Sequence, residues 1–539
     1  MNAPVRGDAR RLDRAFLAFC LLLLGLTILY PTARMVVAAV AAWRPDVLGD
    51  AVSRAAIRNT FLLSLGSVAS AGVVGTALAF FFTRVAFRGR SVAAGLAYLP
   101  FALPPLVGVL CFYFLIGPGG LVPRLAGRIF DCDNPVLPGA VAILFVHTYS
   151  FFVFFYAMVA AALETMDHAQ VEAARTLGAR RLRVFARVLL PQLAPALLGA
   201  SLLTFMSSAA SFSAPLFLGR DLPILSVEIY HKRVAGNDGA ALTLTVCLAL
   251  VSLLGVLLFR RAQRPGGTAS KGTPRPMRGR AGRIAATVLA WGIVALLLTP
   301  HLALIWLSFI DYRAWDTELV PTAFTLMNYT TLFRLPDAFA PIRNSLWMSA
   351  LGTAAAFLVG LPAAYLIARK RPGRGVVNFL VMIPWALPGT VIAINLIVAF
   401  NDPWLPLANT VWMLPVAYYI RNVPLFTRMA AAAIEPFDAS LIEAGRTLGA
   451  SRAYCFRRIV APLLAPALIA AAALVFATSL GEFVASILLC TASNKPIAVK
   501  IGEILHDSLI TGASAYSVLL MLLVTATFVA ARRFTSRIL

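Results

Sequence analysis

Acidic side chains are scarce in this sequence. Only 23 of its 539 residues are Asp or Glu, against 47 Lys or Arg, so the chain carries a formal net charge of +24. Charged residues of both signs make up 13% and hydrophobic residues 60%, with a mean hydropathy of +0.83. Soluble domains are typically about 25% charged and about 45–50% apolar. This composition excludes an ordinary soluble domain and predicts an integral membrane protein.

Residues that bind metals or phosphate are equally sparse. The six cysteines and five histidines form no Cys-x-x-Cys or Cys/His cluster, so we predict no metal site. The phosphate-binding pattern G-x-x-x-x-G-K-[ST] is missing, and its nearest candidate, GGTASKGT at 266–273, lacks the required Gly-Lys pair. We therefore predict a chain that is not an enzyme and binds no cofactor. Because the arginines lie in short segments between apolar runs, we also expect no nucleic-acid partner.

Apolar runs long enough to cross a bilayer recur along the whole chain. They lie at about 15–42, 60–84, 92–116, 139–162, 192–217, 240–259, 284–309, 345–368, 376–400, 411–433, 464–490 and 514–531. Basic residues concentrate in every second connection, as in Arg84, Arg88 and Arg90 after the second run. Cytoplasmic loops are enriched in Lys and Arg, so this alternation predicts an all-α integral membrane protein with about twelve transmembrane helices and both termini in the cytoplasm.

The runs form two sets of six, separated by the Gly-, Pro- and Arg-rich segment 260–283. Its composition predicts a flexible cytoplasmic linker. We therefore divide the chain into a first module at 1–259, with its core at 56–259, and a second module at 284–539, with its core at 343–533. Two modules with an even number of spans share one orientation in the membrane, and a pathway is expected between them.

One polar, basic segment occurs in both halves. Residues 163–195 read LETMDHAQVEAARTLGARRLRVFARVLLPQLAP, and residues 434–466 read IEPFDASLIEAGRTLGASRAYCFRRIVAPLLAP. The two copies align without a gap at a constant offset, so that Glu172 matches Glu443. Lipid-facing packing does not explain a polar segment repeated inside a very apolar chain. The repetition predicts a docking surface that the protein presents twice.

Each copy predicts a short helix that a partner can approach closely. Asp167 is placed to cap the first helix and Gly178 to end it, and Asp438 and Gly449 take these places in the second copy. Each helix combines one carboxylate with small side chains. These residues are Glu172, Ala173 and Ala174 in the first copy and Glu443, Ala444 and Gly445 in the second.

A second, basic helix is predicted after each short one, at 180–190 and at 451–461. We expect these helices along the inner membrane surface. There Arg187 and Arg458 would meet anionic lipid headgroups, so membrane lipids are expected partners.

The same segment carries a family resemblance. Glu-Ala-Ala, a glycine four residues after the last alanine, and then Leu-Pro together resemble the EAA loop of ABC importer permeases. The motif reads Glu172-Ala173-Ala174, Gly178 and Leu190-Pro191 in the first copy, and Glu443-Ala444-Gly445, Gly449 and Ala461-Pro462 in the second. The second copy departs from it at Gly445 and Ala461. The resemblance covers nearly the whole chain as two tandem six-helix type I permease modules.

The resemblance implies specific partners. In that family the short helix is the coupling helix, which inserts into a groove on a separate ATP-binding subunit, a helix-in-groove mode of recognition. It implies two copies of an ATP-binding cassette subunit, which carry ATP and Mg²⁺, and a periplasmic or extracellular solute-binding protein on the outer face. It also implies location in a bacterial inner membrane.

Two residues are candidates for the translocation pathway. Glu482 lies within the apolar run 464–490, and Ser211 occupies the matching place in the first half. An intramembrane carboxylate is costly and usually faces a cavity or a partner. Two interpretations stay open: Glu482 lines the pathway, or it is hydrogen-bonded between helices in a structural role. Pro104 and Pro388 lie mid-span, where a proline either exposes carbonyls to a cavity or simply kinks the helix.

The transported solute is less well defined by the sequence. Among fused permeases of this length, the chain looks most like the ferric iron type. Thiamine, polyamine, phosphonate and inorganic oxyanion importers share the architecture, and the binding protein sets most of the specificity. The alternative from another class is a secondary transporter driven by an ion gradient. Such carriers typically need charged residues in several spans, and Glu482 is the only clear mid-span acid in this sequence.

Overall fold

The computed structural model describes residues 3–131, 136–166, 168–260, 275–276, 280–402, 404–438, 440–506 and 510–538. Helices up to the linker are α1 (Ala3–Leu24), α2 (Tyr30–Ala41), α3 (Pro45–Gly49), α4 (Ala51–Arg84), α5 (Arg90–Leu96), α6 (Leu99–Ala102), α7 (Pro105–Ile116), α8 (Leu121–Phe130), α9 (Gly139–Thr165), α10 (His168–Thr176), α11 (Arg181–Val184), α12 (Leu190–Ala209), α13 (Ser213–Leu218), α14 (Leu225–Val234) and α15 (Asp238–Arg260).

Helices after the linker are α16 (Arg280–Ser308), α17 (Tyr312–Thr317), α18 (Met327–Arg334), α19 (Pro336–Ala368), α20 (Arg374–Ala386), α21 (Gly389–Phe400), α22 (Met413–Ile434), α23 (Ser440–Thr447), α24 (Arg452–Cys455), α25 (Ala461–Leu480), α26 (Val484–Leu489), α27 (Ile497–His506) and α28 (Ile510–Ile538). Within the described ranges, three π-helical segments interrupt the α-helices, at Gly25–Leu29, Phe185–Leu189 and Phe456–Val460. The same ranges contain two strands, β1 (Val85–Ala86) and β2 (Arg275–Pro276).

Ten helical stretches of the described residues are long and apolar enough to cross a membrane, and eleven when α20 and α21, bent by 112°, count as one span. The remaining predicted run, 411–433, forms α22, a 22-residue helix whose Arg421 and Arg428 make it more polar than the others. The prediction of about twelve spans therefore differs from the observed count in two places, which are the bent pair α20 and α21 and the charged helix α22.

Prolines set the breaks inside the third and ninth predicted runs. Leu103 and Leu387, the residues before Pro104 and Pro388, have extended backbones with ψ of 130° and 131°. A residue that precedes proline is disfavoured in the helical region because the proline ring crowds its backbone. A helix therefore ends at this point in each half, and a new helix starts just after it.

One compact unit comprises Met1–Trp43 together with Thr325–Leu539. Its helices α19 and α22 pack against each other most extensively, with α25 and α28 beside them. The N-terminal helix α1 belongs to this core because Cys20 and Leu24 are fully buried in it. In α2, Arg34 forms an ion pair with Asp402 at 2.5 Å.

The other compact unit comprises Arg44–Phe324. Helices α4 and α9 form its centre, with α12 packed against both. Helix α16 follows the linker in sequence but belongs to this unit, since Ala290 and Val294 are buried in the same core as Phe82. The two compact units therefore group the chain differently from the predicted modules 1–259 and 284–539, which follow the sequence repeat. The first helix of each predicted module packs in the unit that contains the rest of the other module.

The two units repeat one hydrogen-bond arrangement at the start of α4 and of α19. In each, an asparagine amide donates to a backbone carbonyl, and the next residue's hydroxyl accepts the amide proton at the start of a later helix. The bonds are Asn59 Nδ2 to Pro223 O at 3.1 Å and Leu225 N to Thr60 Oγ1 at 3.0 Å, with Asn344 Nδ2 to Lys495 O at 3.1 Å and Ile497 N to Ser345 Oγ at 2.8 Å as their counterparts. The internal repeat is therefore structural as well as sequential.

Only part of the predicted linker 260–283 falls in the described residues. Arg275–Pro276 forms β2, which pairs in parallel with β1 at Val85–Ala86. Residues 280–283 already belong to α16. The flexibility of the rest stays a prediction.

Candidate coupling and pathway sites

Both copies of the repeated segment fold in the same way. The short helices α10 and α23 are each followed by a glycine in the left-handed conformation, Gly178 with φ +76° and Gly449 with φ +86°. In each copy the residue after the glycine donates its amide to the carbonyl five positions earlier, at 3.0 Å. This hydrogen-bonded helix end is the Schellman motif. Glycine is the preferred residue at its left-handed position because it has no Cβ.

The beginning of the second short helix is held by an acidic side chain. The Asp438 carboxylate accepts hydrogen bonds from the backbone amide of Ser440 at 2.9 Å and from its hydroxyl at 2.7 Å. These bonds stabilise the ionised carboxylate and hold the pKa of Asp438 below its usual value. Asp167, its counterpart in the first copy, lies outside the described residues.

The predicted contact residues lie largely at the surface. Glu172, Ala173, Glu443 and Ala444 are exposed, whereas Ala174 and Gly445 are partly buried. A Cβ on Gly445 would stand 3.1 Å from both Cys455 Sγ and Ile459 Cδ1. The second copy therefore departs from Glu-Ala-Ala at the position where its short helix packs most tightly on the following basic segment.

The most exposed apolar residues of both segments were missed in the sequence. Leu177 and Leu448, which match each other in the repeat, are each 88% exposed. Each lies just before the terminating glycine, within the shared letters Thr-Leu-Gly. Large apolar side chains exposed in equivalent places suggest contact with another protein. The conserved Thr-Leu-Gly within the repeat was the signal that pointed to them.

Valine in place of both glycines, Gly178→Val with Gly449→Val, is expected to weaken coupling because a β-branched residue cannot readily adopt positive φ. The expected cost is about 1–2 kcal/mol for each helix end. Asparagine tolerates this conformation, and no atom lies within 4 Å of a Cβ at either position. The Gly178→Asn and Gly449→Asn pair is therefore the matched control. Transport-coupled ATP hydrolysis should fall in the valine variant and remain near wild type with asparagine, and equal rates would contradict the role of this helix end.

An ion pair lies within the helices of the unit that contains Glu482. Glu482 Oε2 is 2.5 Å from Arg421 Nε, and the two side chains are 7% and 35% exposed. The other carboxylate oxygen accepts the backbone amide of Ala485 at 3.0 Å, at the start of α26. Arg421 comes from the middle of α22, and Glu482 from the break between α25 and α26. The carboxylate therefore joins two helices where one of them is interrupted.

The break before α21 adjoins this ion pair. A Cβ on Gly389, the first residue of α21, would stand 2.8 Å from Arg421 Nη1 and 3.3 Å from Val484. Thr390, which follows Gly389, is fully buried, and its hydroxyl has no hydrogen-bond partner within the described residues. Two helix interruptions thus meet at one guanidinium group.

The matching place in the other unit holds a cluster of one histidine and three serines. His147 Nε2 lies 2.9 Å from Ser211 Oγ, and Nδ1 lies 2.9 Å from Ser67 Oγ and 3.1 Å from Ser208 Oγ. His147 is 1% exposed. In the repeat, Ser211 corresponds to Glu482 and Ser150 corresponds to Arg421. At the position shared by Glu482 and Ser211, one half therefore forms an ion pair with an arginine and the other a hydrogen bond with a histidine.

The sequence located Glu482 and Ser211 but not their partners. Arg421 stands inside the predicted run 411–433, and a charge inside an apolar run was the available signal. His147 gave a similar signal within 139–162. Among the residues that the structure describes, no group of three or more His, Cys, Asp and Glu side chains is arranged to hold a metal ion.

Comparison with known proteins gives the chain a family. The family described as "Binding-protein-dependent transport system inner membrane component" matches residues 71–264 and 356–539. A probable ABC transporter permease protein, y4fN, from Sinorhizobium fredii is 30% identical, over 83% of this chain and 81% of its own length. The ferric transport system permease protein FbpB of Actinobacillus pleuropneumoniae is 28% identical over 89% and 71%. The spermidine/putrescine permease PotB of Escherichia coli is 30% identical over 39% and 80%.

The helical fold, the apolar spans and the twofold family match define a membrane permease of the ABC importer class, with two modules fused in one chain. The protein belongs to the family of binding-protein-dependent transport system inner membrane components. The family model matches the chain twice, and relatives aligned over most of the chain are named as permeases for ferric transport.

Proposed function

We propose that this chain is the transmembrane subunit of an importer for ferric iron, with ATP hydrolysed by a separate subunit. The observation that carries the proposal is the pair of matching short helices, each with an exposed carboxylate and an 88% exposed leucine. An isolated permease module needs only one such helix. Two in one chain suit an assembly with two copies of an ATP-binding cassette subunit, which would hold all the ATP and Mg²⁺ while this chain binds no cofactor.

The coupling helices would act by position. Each is a rigid unit, closed at its end by a Schellman motif, and its exposed face contains Glu172 and Leu177 or Glu443 and Leu448. An amphipathic helix of this kind fits a groove on a partner. Closure of the two ATP-binding subunits on ATP would pull the two helices with them, and the spans attached to the helices would follow.

The proposed topology places these helices in the cytoplasm, together with both termini. The opposite face would receive solute from a periplasmic or extracellular binding protein in a bacterial inner membrane. Among the described residues, the ion pair Arg421–Glu482 and the His147–Ser211 cluster are the candidates that the moving solute meets. An arginine with one third of its side chain accessible inside a span is best placed at a water-filled path, because lipid would not solvate it.

The support for iron is the length over which ferric permeases align. FbpB of Actinobacillus pleuropneumoniae aligns with 89% of this chain, whereas the polyamine permease PotB, a shorter protein matched over 80% of its own length, aligns with 39%. Both halves therefore resemble a ferric permease in their fused arrangement. Polyamine, thiamine, phosphonate and oxyanion import remain the competing solutes.

Reconstitution with the binding protein and ATP-binding subunit encoded beside this chain tests the proposal. Proteoliposomes should take up ferric iron only when ATP and the binding protein are both present. Preferential uptake of spermidine or sulfate under the same conditions would replace iron as the solute. Uptake that follows an ion gradient without the ATP-binding subunit would replace the importer mechanism with a secondary transporter.

Association with the ATP-binding subunit gives a separate test of the coupling helices. The Glu172→Arg and Glu443→Arg pair should reduce its co-purification from detergent, since the charge on each docking face is reversed. Asp337→Arg, an exposed acid beyond the repeated segments, is the control for charge alone. Equal recovery of the ATP-binding subunit with the paired variant and with the control would show that the two carboxylates are not part of the docking surface.

A further inference from the structure

A basic cavity lies where three helices of one compact unit end or begin. Its volume is about 470 Å³, and it is lined at the end of α19 by Lys370, at the start of α20 by Arg374 and Asn378, and near the end of α22 by Arg428 and Glu435. Small-molecule sites typically occupy about 300–1,000 Å³. The cavity is therefore large enough for a small polar group.

The charges around this cavity are not balanced by the protein. Three cations and one carboxylate line the cavity. Within the described part of the chain, none of the three cations, Lys370, Arg374 and Arg428, forms an ion pair. The Oδ1 atom of Asn378 is buried without a hydrogen-bond partner there. Lys370, Arg374 and Arg428 are exposed, so solvent screens part of their mutual repulsion, and an anion bound between them would offset the rest. The lining therefore offers donors for an anion and two acceptors, on Asn378 and Glu435, for hydroxyl groups.

Membrane topology alone does not account for these cations. The positive-inside rule acts on both halves of the protein. In the first half Arg90 and Glu164 match Arg374 and Glu435, but alanine stands at the places of Lys370, Asn378 and Arg428, namely Ala86, Ala94 and Ala157. The register is sound because Gly89 and Gly373 both have positive φ. The polar lining of the cavity is thus present in the second half and absent from the matching positions of the first, although the general charge bias applies to both.

We propose that this cavity binds the phosphate of an anionic phospholipid, with phosphatidylglycerol as the best match. The two arginines and the lysine bind the phosphate oxygens, and Glu435 and Asn378 accept hydrogen bonds from the glycerol hydroxyls. The proposed topology, on which this assignment rests, places the cavity at the cytoplasmic leaflet, whose anionic lipids attract basic pockets between helices. Helix α22 ends next to the cavity and leads directly into the second coupling segment, so a bound lipid would fix the base of that segment.

Lipid titration followed by native mass spectrometry of the purified full chain tests this proposal. Phosphatidylglycerol should bind more tightly than phosphatidylcholine, which has a phosphate but no net charge. The Arg374→Gln and Arg428→Gln pair should lower the affinity for phosphatidylglycerol by about 25-fold, because each lost cation lowers it by about fivefold. The control pair Arg11→Gln and Arg14→Gln removes two exposed cations of the same unit outside the cavity and should leave the affinity near wild type.

Three outcomes would overturn the assignment. They are equal binding of the two lipids, unchanged binding in the cavity variant, and displacement of the lipid by millimolar inorganic phosphate, which would assign the cavity to a soluble anion. Arg428→Ala alone introduces the residue found at the matching position of the first half and should still lower the affinity for phosphatidylglycerol by about fivefold. This single variant keeps the test decisive if the double variant folds poorly. The readout needs neither ATP nor solute, and its failure is therefore distinct from failure of the proposed transport function.

Discussion

The paired change Leu177→Asp and Leu448→Asp is expected to abolish stable association with the ATP-binding subunit. Each leucine is 88% exposed in the described structure and would be buried in the partner's groove. Burial of a leucine side chain contributes about 1.5–3 kcal/mol. Loss of both therefore removes about 3–6 kcal/mol, or about 10²–10⁴-fold in affinity, before the cost of burying two carboxylates. ATP-dependent transport should fall with the association.

Binding of the ATP-binding subunit to immobilised wild-type and variant protein measures this effect. Each single change should cost less than the pair, because two linked contacts bind with avidity. Leu326→Asp is the matched control, since Leu326 is a leucine that is 63% exposed and lies outside the repeated segments and the candidate spans. A double leucine variant that still co-purifies at the wild-type ratio would show that the two leucines do not enter the groove.

Removing one partner of the buried ion pair, by Glu482→Ser, is expected to destabilise the protein and to stop transport. Glu482 is 7% exposed, so Arg421 would be left without its counter-charge inside a span. Loss of one member of a fully buried pair costs about 3–5 kcal/mol, and we expect a smaller loss here because Arg421 is 35% exposed. Thermal unfolding in detergent, together with uptake in proteoliposomes, measures both effects.

The first half of the chain supplies the variant that separates structure from transport. Arg421→Ser combined with Glu482→Ser copies Ser150 and Ser211, the residues at the matching positions. Because it leaves no unpaired charge, this double variant should recover part of the stability that Glu482→Ser alone loses. If the pair lines the pathway, transport stays low although stability returns. Recovery of both would make the pair structural.

The repeat could be predicted from the sequence because its polar letters recur in register within an apolar chain. Gly178 and Gly449 ended their helices as their spacing indicated, because only the left-handed region closes a Schellman turn. The mid-chain breaks were less visible. The apolar run 376–400 contains no charged residue, and its bend of 112° follows from the backbone of Leu387 before Pro388.

Partners across helices were beyond the sequence for a different reason. Glu482 and Arg421 are 61 residues apart in the chain, and helical periodicity predicts which residues share a face but not which helix packs opposite. The same limit applies to α1, whose apolar surface gave no sign that it is buried with α19 rather than with α4. The exposure of Leu177 was marked in the sequence only by the recurrence of Thr-Leu-Gly, since an apolar residue at the end of a short helix usually faces inward.

The π-helical segments Phe185–Leu189 and Phe456–Val460 occupy equivalent places, between each basic turn and the span that follows. A π-helical turn accommodates one more residue than an α-helical turn. Each residue advances an α-helix by about 100°. The lipid-facing stripe of α12 and of α25 is therefore out of phase by that angle with any stripe extrapolated from α11 or α24. Deleting a single residue from either segment would rotate the attached span by about 100° around its own axis.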